Sequence, residues 1–314
     1  KASDPTASEA DGTVWYNTTT SALKYSIAGA GSWASGPAVN TGRRSLAGTG
    51  TATAAVIAGG IGGTTATETY NGSAWTTSPA VLGTGRQYFK GDGSSTAAIV
   101  AGGYAPTSSP EIVAVTETFN GSAWTEVNNL NTAREKPGNS TLGSTTASLV
   151  FGGSAGPPRI DDETEKWDGT SWAETADLNT ARQGIGGAGT STAALSIGGN
   201  PPASNQVESW NGTSWTELTP NLNTARSEFG STGTQTSAVI WGGNPGSPGL
   251  LVEQWDGSAW TEVGDLATKR AGPGSAGVSG NSAYAIAGYD GSGNLTTTET
   301  WTDPIYTIKT VTVS

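Results

Sequence analysis

Five stretches of this sequence repeat one another closely: TETYNGSAW (67–75), TETFNGSAW (116–124), TEKWDGTSW (164–172), VESWNGTSW (207–215) and VEQWDGSAW (252–260). Each stretch follows a short apolar run that ends in a glycine doublet, and an arginine precedes each run. The arginines recur about every 45 residues, and no copy contains an apolar pattern of helical period. A period of this length with short β-like runs predicts the blades of a β-propeller.

One repeat is long enough for four antiparallel strands. After Arg182 the candidate strands are GIGGAGT, AALSIGG, QVESW and SWTEL. The pair Asn211-Gly212 separates the last two and predicts a tight hairpin turn, which needs positive φ at both central residues. The small residues of the first strand suit the crowded centre of a propeller.

The two chain ends together supply one complete repeat. The unit that starts at Arg270 provides three strands up to Trp301, and a matching fourth strand surrounds Trp33. Pairing these strands closes the ring and removes two exposed sheet edges. The fold class is therefore predicted as all-β, a propeller of six four-stranded antiparallel blades over residues 32–303, with the last blade closed by an N-terminal strand. Residues 1–31 are expected to form a hairpin attachment segment, and residues 304–314 a strand that belongs to another structure.

The composition restricts the chemistry. The chain has 314 residues, 15 Lys and Arg against 26 Asp and Glu, a formal charge of −11, and neither Cys, His nor Met. Thiol and imidazole catalysis and the usual zinc, copper and haem sites are thereby excluded. No metal, cofactor, nucleic-acid partner or membrane insertion is expected. Because translation starts with Met, the sequence is expected to be a processed or truncated chain.

The glycine doublet, the aromatic residue a short distance on, the spaced Trp and the period together resemble kelch repeats across residues 32–303. The kelch tyrosine before Asn or Asp is often Trp or Phe here, which indicates a divergent branch. The motif NGSAWTE followed by LNTAR is similar to motifs in repeat proteins of tailed bacteriophages of marine bacteria. DGTVWYNTTTSALKY (11–25) resembles a short module of phage tail-fibre proteins.

Glutamate precedes the aromatic by two residues in every unit, and arginine recurs at one position. They could form a charged ring around a channel that binds ions or charged sugars, or pairs that lock adjacent blades. Because a site used once need not be copied six times, structural pairs are favoured, and the paired aromatics are likewise assigned to the core. The repeat positions are Glu68, Glu117, Glu165, Glu208, Glu253, Glu299, Arg86, Arg134, Arg182, Arg226 and Arg270, with Arg43 or Arg44 in the first unit.

The segments between the doublets and the glutamate strands vary in length and composition while the flanking strands hardly change. They are predicted to emerge on the same face as the Leu-Asn-Thr-Ala-Arg connections, which is a binding architecture. The longest, 104–115 and 244–252, are the preferred contact sites, and the acidic run 161–163 is expected in a solvated loop. The binding candidates are Tyr104, Pro106, Glu111, Arg159, Asp161, Asp162, Asn244, Leu250, Tyr289 and Asp290.

The resemblances imply a non-enzymatic phage virion protein, in a tail fibre, baseplate or capsid-surface appendage. It is expected in the virion or outside the cell, with other virion proteins bound through its termini. The propeller would bind a protein or a host-surface glycan, and homo-oligomers are compatible with this role. Two alternatives remain open: a bacterial surface adhesin or filament subunit, and a carboxylate-dependent glycan hydrolase or lyase, which needs only two carboxyl groups about 5–10 Å apart.

Overall fold

The computed structural model describes residues 3–4, 13–28, 31–244, 249–303 and 306–311, and all regular structure within them is β. The first three strands are β1 (Val14–Asn17), β2 (Ala22–Ala28) and β3 (Ser32–Gly36). The next twenty strands form five consecutive four-stranded antiparallel blades, each running outward from the centre in chain order.

Blades 1 to 3 consist of the following strands: β4 (Ala47–Thr51), β5 (Ala54–Ala58), β6 (Thr67–Tyr70), β7 (Trp75–Ser78); β8 (Lys90–Gly93), β9 (Ala98–Ala101), β10 (Thr116–Phe119), β11 (Trp124–Val127); β12 (Gly138–Asn139), β13 (Ser148–Gly156), β14 (Arg159–Trp167), β15 (Trp172–Thr175). Blades 4 and 5 consist of β16 (Gly186–Thr190), β17 (Ala193–Ile197), β18 (Val207–Trp210), β19 (Trp215–Glu217); β20 (Gly230–Thr234), β21 (Ser237–Trp241), β22 (Val252–Trp255), β23 (Trp260–Glu262).

The sixth blade is composite and closes the ring. It contains β24 (Gly274–Ser279), β25 (Ser282–Ile286) and β26 (Thr298–Thr302), with β3 as the outermost strand. Trp33 lies directly opposite Trp301 in the β3–β26 register, and β24 packs against the innermost strand of blade 1. The predicted six four-stranded blades and the closure by an N-terminal strand are therefore confirmed.

A small sheet outside the ring joins the two ends of the chain. Strand β27 (Tyr306–Thr310) pairs with β2, and β2 pairs with β1, in the order β1-β2-β27. The sequence placed the last strand in another structure, because a lone strand carries no signal for its partner. Residues 1–2, 5–12, 29–30, 304–305 and 312–314 of these terminal segments lie outside the described residues.

Glycine doublets connect each blade to the next. The second residue of every pair donates its backbone N–H to the carbonyl of the repeat arginine of the following blade, at 2.8–2.9 Å. The last of these bonds, from Gly288 to Arg43, connects blade 6 to blade 1. The first residue of each pair has positive φ, including Ala287, the only such position without glycine. A Cβ on Gly242 would lie 2.3 Å from the carbonyl oxygen of Arg270, so the approach of the two blades requires glycine there.

Tryptophans on the outermost strands connect neighbouring blades. Trp124, Trp172 and Trp215 each donate their indole N–H at 3.0 Å to a threonine hydroxyl on the third strand of the preceding blade. The acceptors are Thr67, Thr116 and Thr164. Each outer aromatic also packs against the aromatic of its own third strand, with centroids 5.2 Å apart in Trp210–Trp215.

The indoles of two other outer-strand tryptophans lack an acceptor because valine replaces the threonine. Val207 and Val252 occupy the threonine position of blades 4 and 5. The buried N–H groups of Trp260 and Trp33, on the following blades, consequently have no hydrogen-bond partner. Leaving a buried donor unpaired costs free energy, so these two blade contacts are weaker than their equivalents.

We expect Thr116→Val to lower the free energy of unfolding by about 1–3 kcal/mol, because it removes the acceptor of Trp172. The reverse exchange, Val207→Thr, supplies an acceptor to Trp260 and should raise the free energy of unfolding by up to about 1 kcal/mol. Urea unfolding followed by Trp fluorescence measures both changes. Equal destabilisation by the two substitutions would contradict this account of the blade contacts.

Candidate functional site

The repeated arginines and glutamates form six buried pairs inside the blades. Representative distances between Nη2 and Oε1 are 2.7 Å for Arg182–Glu208 and 3.0 Å for Arg134–Glu165. In the first unit the paired arginine is Arg43. The complete set is Arg43–Glu68, Arg86–Glu117, Arg134–Glu165, Arg182–Glu208, Arg226–Glu253 and Arg270–Glu299.

Each pair also fixes the connection that enters its blade. Glu208 accepts the backbone N–H and the side-chain amide of Asn179, both at 2.8 Å, and Arg182 donates to the carbonyls of Gly198 and Gln206. Both charged groups are thus occupied by partners within the protein. Asn179 belongs to the Leu-Asn-Thr-Ala-Arg connection, which explains why this motif recurs together with the glutamate.

Two residues after each repeat arginine the backbone forms a closed ring around one mouth of the central channel. The six residues at this position have φ between 53° and 63°. Each donates its N–H to the carbonyl of the equivalent residue in the preceding blade, at 2.7–2.9 Å. The members of this mouth ring are Ser45, Tyr88, Lys136, Gly184, Glu228 and Gly272.

The side chains of the mouth ring do not repeat. Lys136 bonds Glu228 at 2.8 Å across the ring, and its ammonium nitrogen lies 4.5 Å from the centroid of Tyr88. The left-handed backbone favours glycine, and Gly184 and Gly272 meet that preference. Tyr88, Lys136 and Glu228 occupy the same conformation at a steric cost, which is a frequent property of functional positions.

A cavity of about 40 Å³ lies inside the mouth ring. Its walls include Phe89, Pro137 and Pro273, and Lys90 of β8 borders it from the channel. Burial lowers the pKa of Lys90 to about 8, and the charge of Glu228 opposes that shift. The mouth therefore combines apolar walls with an ammonium group inside the channel.

Asp92 is a buried carboxyl group in the channel wall. It accepts hydrogen bonds from Asn139 at 2.6 Å, from Ser140 at 2.8 Å and from Ser148, and so ties β8 to blade 3. Burial raises its pKa to about 6, although these hydrogen bonds act in the opposite direction. The group is fully occupied by its neighbours and serves the packing of two blades.

A groove of about 690 Å³ separates the variable segments of blades 2 and 3. It is bordered by Tyr104, Glu111 and Arg159, three of the binding candidates, together with Glu135. The Tyr104 hydroxyl donates to Glu111 Oε2 at 2.7 Å. Burial raises the pKa of Glu135, and Lys136 opposes that shift. The groove thus presents an aromatic ring, carboxylates and a guanidinium group side by side.

The acidic run behind this groove is a strand and not the expected solvated loop. Asp161 and Asp162 lie in β14, which extends with β13 beyond the blade as a long hairpin. Asp161 is 2% exposed and pairs with Arg159 at 2.6 Å. Burial raises the pKa of Asp161, and Arg159 opposes that shift. The sequence missed this because alternation of buried and exposed residues is hidden among consecutive acids.

Other binding candidates lie elsewhere on the loop face. Asn244, Tyr289 and Asp290 border a second hollow of about 310 Å³ between blades 5 and 6. Residues 245–248 of the predicted contact segment 244–252 lie outside the described residues. Pro106 packs beside Gly63 of blade 1, and Leu250 packs against the core between blades 5 and 6.

Asp290 closes its own turn. Its Oδ1 accepts the backbone N–H groups of Ser292 and Gly293 at 2.7 and 2.8 Å. Among the residues that the structure describes, no group of three or more acidic side chains is arranged to hold a metal ion. The described part of the chain also contains no helix long and apolar enough to cross a membrane.

The channel mouth is the feature that the sequence reasoning did not select. Lys90, Asp92, Lys136 and Glu228 are not among the residues that the sequence selects. The signal was available, since the position two residues after the repeat arginine changes from glycine to Tyr, Lys or Glu while its surroundings repeat. Recognising it requires knowing that this position lines the channel.

No protein-family model and no curated protein matches this sequence. Among solved structures, the structure of YjhT is similar, with a TM-score of 0.65, 15% identity, and coverage of 88% of this chain and 99% of that chain. In all, 421 chains of solved structures match this one. At 15% identity the likeness supports the propeller fold and does not assign a function.

Two glutamates face each other across β18 and β19. Because one of them belongs to a buried ion pair, replacing each should change the free energy of unfolding by very different amounts. Glu208→Gln leaves the buried Arg182 without its counter-ion and should lower the free energy of unfolding by about 3–5 kcal/mol. Glu217→Gln, at the exposed partner position, should change it by less than about 0.5 kcal/mol. Urea unfolding tests both variants, and similar effects would refute the structural role of the pair.

Because Asp92 is a buried carboxyl group, the free energy of unfolding should depend on pH. Its folded-state pKa of about 6 exceeds the ordinary 3.8, so the folded protein holds this proton more tightly than the unfolded chain. The stabilisation is greatest below about pH 4 and declines by about 3 kcal/mol as the pH rises through 6. The difference in unfolding free energy between the wild type and Asp92→Asn should follow this decline, and a difference independent of pH would contradict it.

Proposed function

We propose that this chain is a phage virion structural protein whose propeller is a rigid module for binding a host-surface glycan or protein. The observation that carries the proposal is the groove between blades 2 and 3. It lies where the repeats diverge most, while the frame beneath it is fixed by buried pairs and blade-to-blade hydrogen bonds. Variable side chains on a rigid frame are a common arrangement for recognition.

The chemistry of the groove supports this role. Tyr104 offers a ring and a hydroxyl, and Glu111 and Arg159 offer charged hydrogen-bonding groups at its rim. Such a combination of one aromatic surface and a few convergent polar groups suits saccharides and polar protein segments alike. The kelch-like repeats and the motifs that resemble those of phage proteins support placement on a virion, in a tail fibre, baseplate or capsid-surface appendage.

The terminal sheet supports attachment of the propeller to neighbouring virion proteins. It contains both ends of the described chain and lies outside the ring. Val14, Leu23 and Val311 on this sheet are 65%, 43% and 38% exposed, a concentration of apolar side chains typical of protein contacts. A bacterial surface adhesin would use the same two features, and immunogold labelling of purified particles separates these roles.

A carboxylate-dependent hydrolase remains the enzymatic alternative. The raised pKa of Glu135 at the groove, caused first by burial, is the property of a general acid. Release of reducing sugar from host glycan, lost in Glu135→Gln, would establish that activity instead. Binding without release is the result that the proposal expects.

Tyr104→Ala should weaken binding of the purified protein to host cells by roughly tenfold or more, because the aromatic wall of the groove is lost. Thr125→Ala, on the exposed outer strand of the same blade, is the matched control and should bind as the wild type does. Binding isotherms with labelled protein provide the measurement. Unchanged affinity of the Tyr104 variant would remove the groove as the contact site.

A further inference from the structure

Lys90 stands where the other blades have the smallest residues. It is the first residue of its inner strand, and the equivalent residues are Ala47, Gly138, Gly186, Gly230 and Gly274. The fold therefore has no packing need for a long side chain at this position. The lysine lines the cavity at the mouth and also the narrower space of about 20 Å³ deeper in the channel.

The ammonium group of Lys90 has no bonded partner among the described residues, although the charge of Glu228 acts on it from nearby. Within the described part of the chain its ammonium group makes neither a hydrogen bond nor an ion pair. Glu228 is the nearby carboxylate, but its two oxygens are engaged by Lys136 at 2.8 Å and by Asn244 at 3.1 Å. The burial of Lys90 lowers its pKa only to about 8, so the group carries its proton at neutral pH. Lys90 is partly exposed and lines two narrow hollows, and a cation held there without a bonded partner points to a ligand of opposite charge.

We propose that the channel mouth binds the carboxylate of an acidic saccharide, with Lys90 as its counter-ion. The cavity of about 40 Å³ has room for a head group and not for a sugar ring. The ring of the saccharide therefore remains above the mouth ring, beside Tyr88. Two lysines and one glutamate line the mouth, and Glu228 pairs with Lys136, so the single positive charge left at Lys90 suits a singly charged carboxylate better than a doubly charged phosphate.

A saccharide fits this mouth better than a peptide terminus does. Peptide carboxylates are commonly captured by free backbone N–H groups. All six N–H groups of the mouth ring are already used in bonds around the ring. The available groups are side chains, including the Tyr88 hydroxyl, which has no hydrogen-bond partner among the described residues. Side-chain donors and acceptors around an apolar hollow match the hydroxyl groups of a sugar.

This inference goes beyond the proposed function because it concerns a separate site. The mouth cavity and the groove of Tyr104 share no bordering residue. Tyr104→Ala should consequently leave saccharide binding at the mouth unchanged. Failure of either proposal is thereby distinguishable from failure of the other.

The protein is titrated separately with methyl β-glucuronide, neutral methyl β-glucoside and acetyl-triglycine. Isothermal titration calorimetry and NMR chemical-shift changes measure the affinity for each compound. The wild type should bind the glucuronide at least about tenfold more tightly than the glucoside or the peptide. Lys90→Ala should abolish that preference. Lys166→Ala, which removes a lysine from β14, should retain it within about twofold.

The variants keep the outcome interpretable. Blade 1 carries Ala47 at the same position, so Lys90→Ala places a residue there that this fold already accommodates. Lys90→Met keeps the length of the side chain without its charge and should behave like Lys90→Ala. Equal binding of glucuronide and glucoside, a preference for the peptide, or a glucuronide preference that survives in both Lys90 variants would overturn the proposal.

Discussion

The structure depends on the repeat arginine, which holds two blades at once. Its guanidinium group pairs with the buried glutamate of its own blade, as in Arg226–Glu253. Its backbone carbonyl accepts a hydrogen bond from the second residue of the preceding glycine doublet, as in Gly199 to Arg226. Because the same residue makes both contacts in all six blades, the side-chain pair fixes the backbone that the next contact requires. The low content of large apolar residues is thereby offset by directional contacts.

This fixed frame explains where variation is tolerated. The segments that follow the doublets differ between blades without disturbing the arginine contacts, and the hairpin of β13 and β14 extends outward from an otherwise regular blade. The mouth ring is a second variable place, since its hydrogen bonds involve backbone atoms only. Any side chain compatible with left-handed backbone can therefore be placed at the channel entrance. Both candidate sites use this freedom.

The sequence predicted the parts that repeat and missed the parts that depend on closure. Six copies of Arg and Glu and the match between Trp33 and Trp301 were sufficient for the blades and their number. The tight turn predicted at 211–212 was wrong in detail, because a four-residue loop, 211–214, joins the two strands and Gly212 has positive φ there while Asn211 does not. The partner of β27 was not predictable, because a strand of alternating Thr and apolar residues fits many edges. The channel mouth was missed because Lys90 and Glu228 approach each other only when the ring closes.

The closure of the ring is tested most directly by a disulfide, because these 314 residues contain no cysteine. Ala34 and Thr300 face each other across β3 and β26. Ala34→Cys combined with Thr300→Cys should form an intramolecular disulfide on mild oxidation, visible as a gel shift reversed by reductant. Ala34→Cys combined with Thr69→Cys, at the equivalent position of blade 1, should remain reduced. Linkage of the second pair and not the first would contradict a ring closed by both ends of the chain.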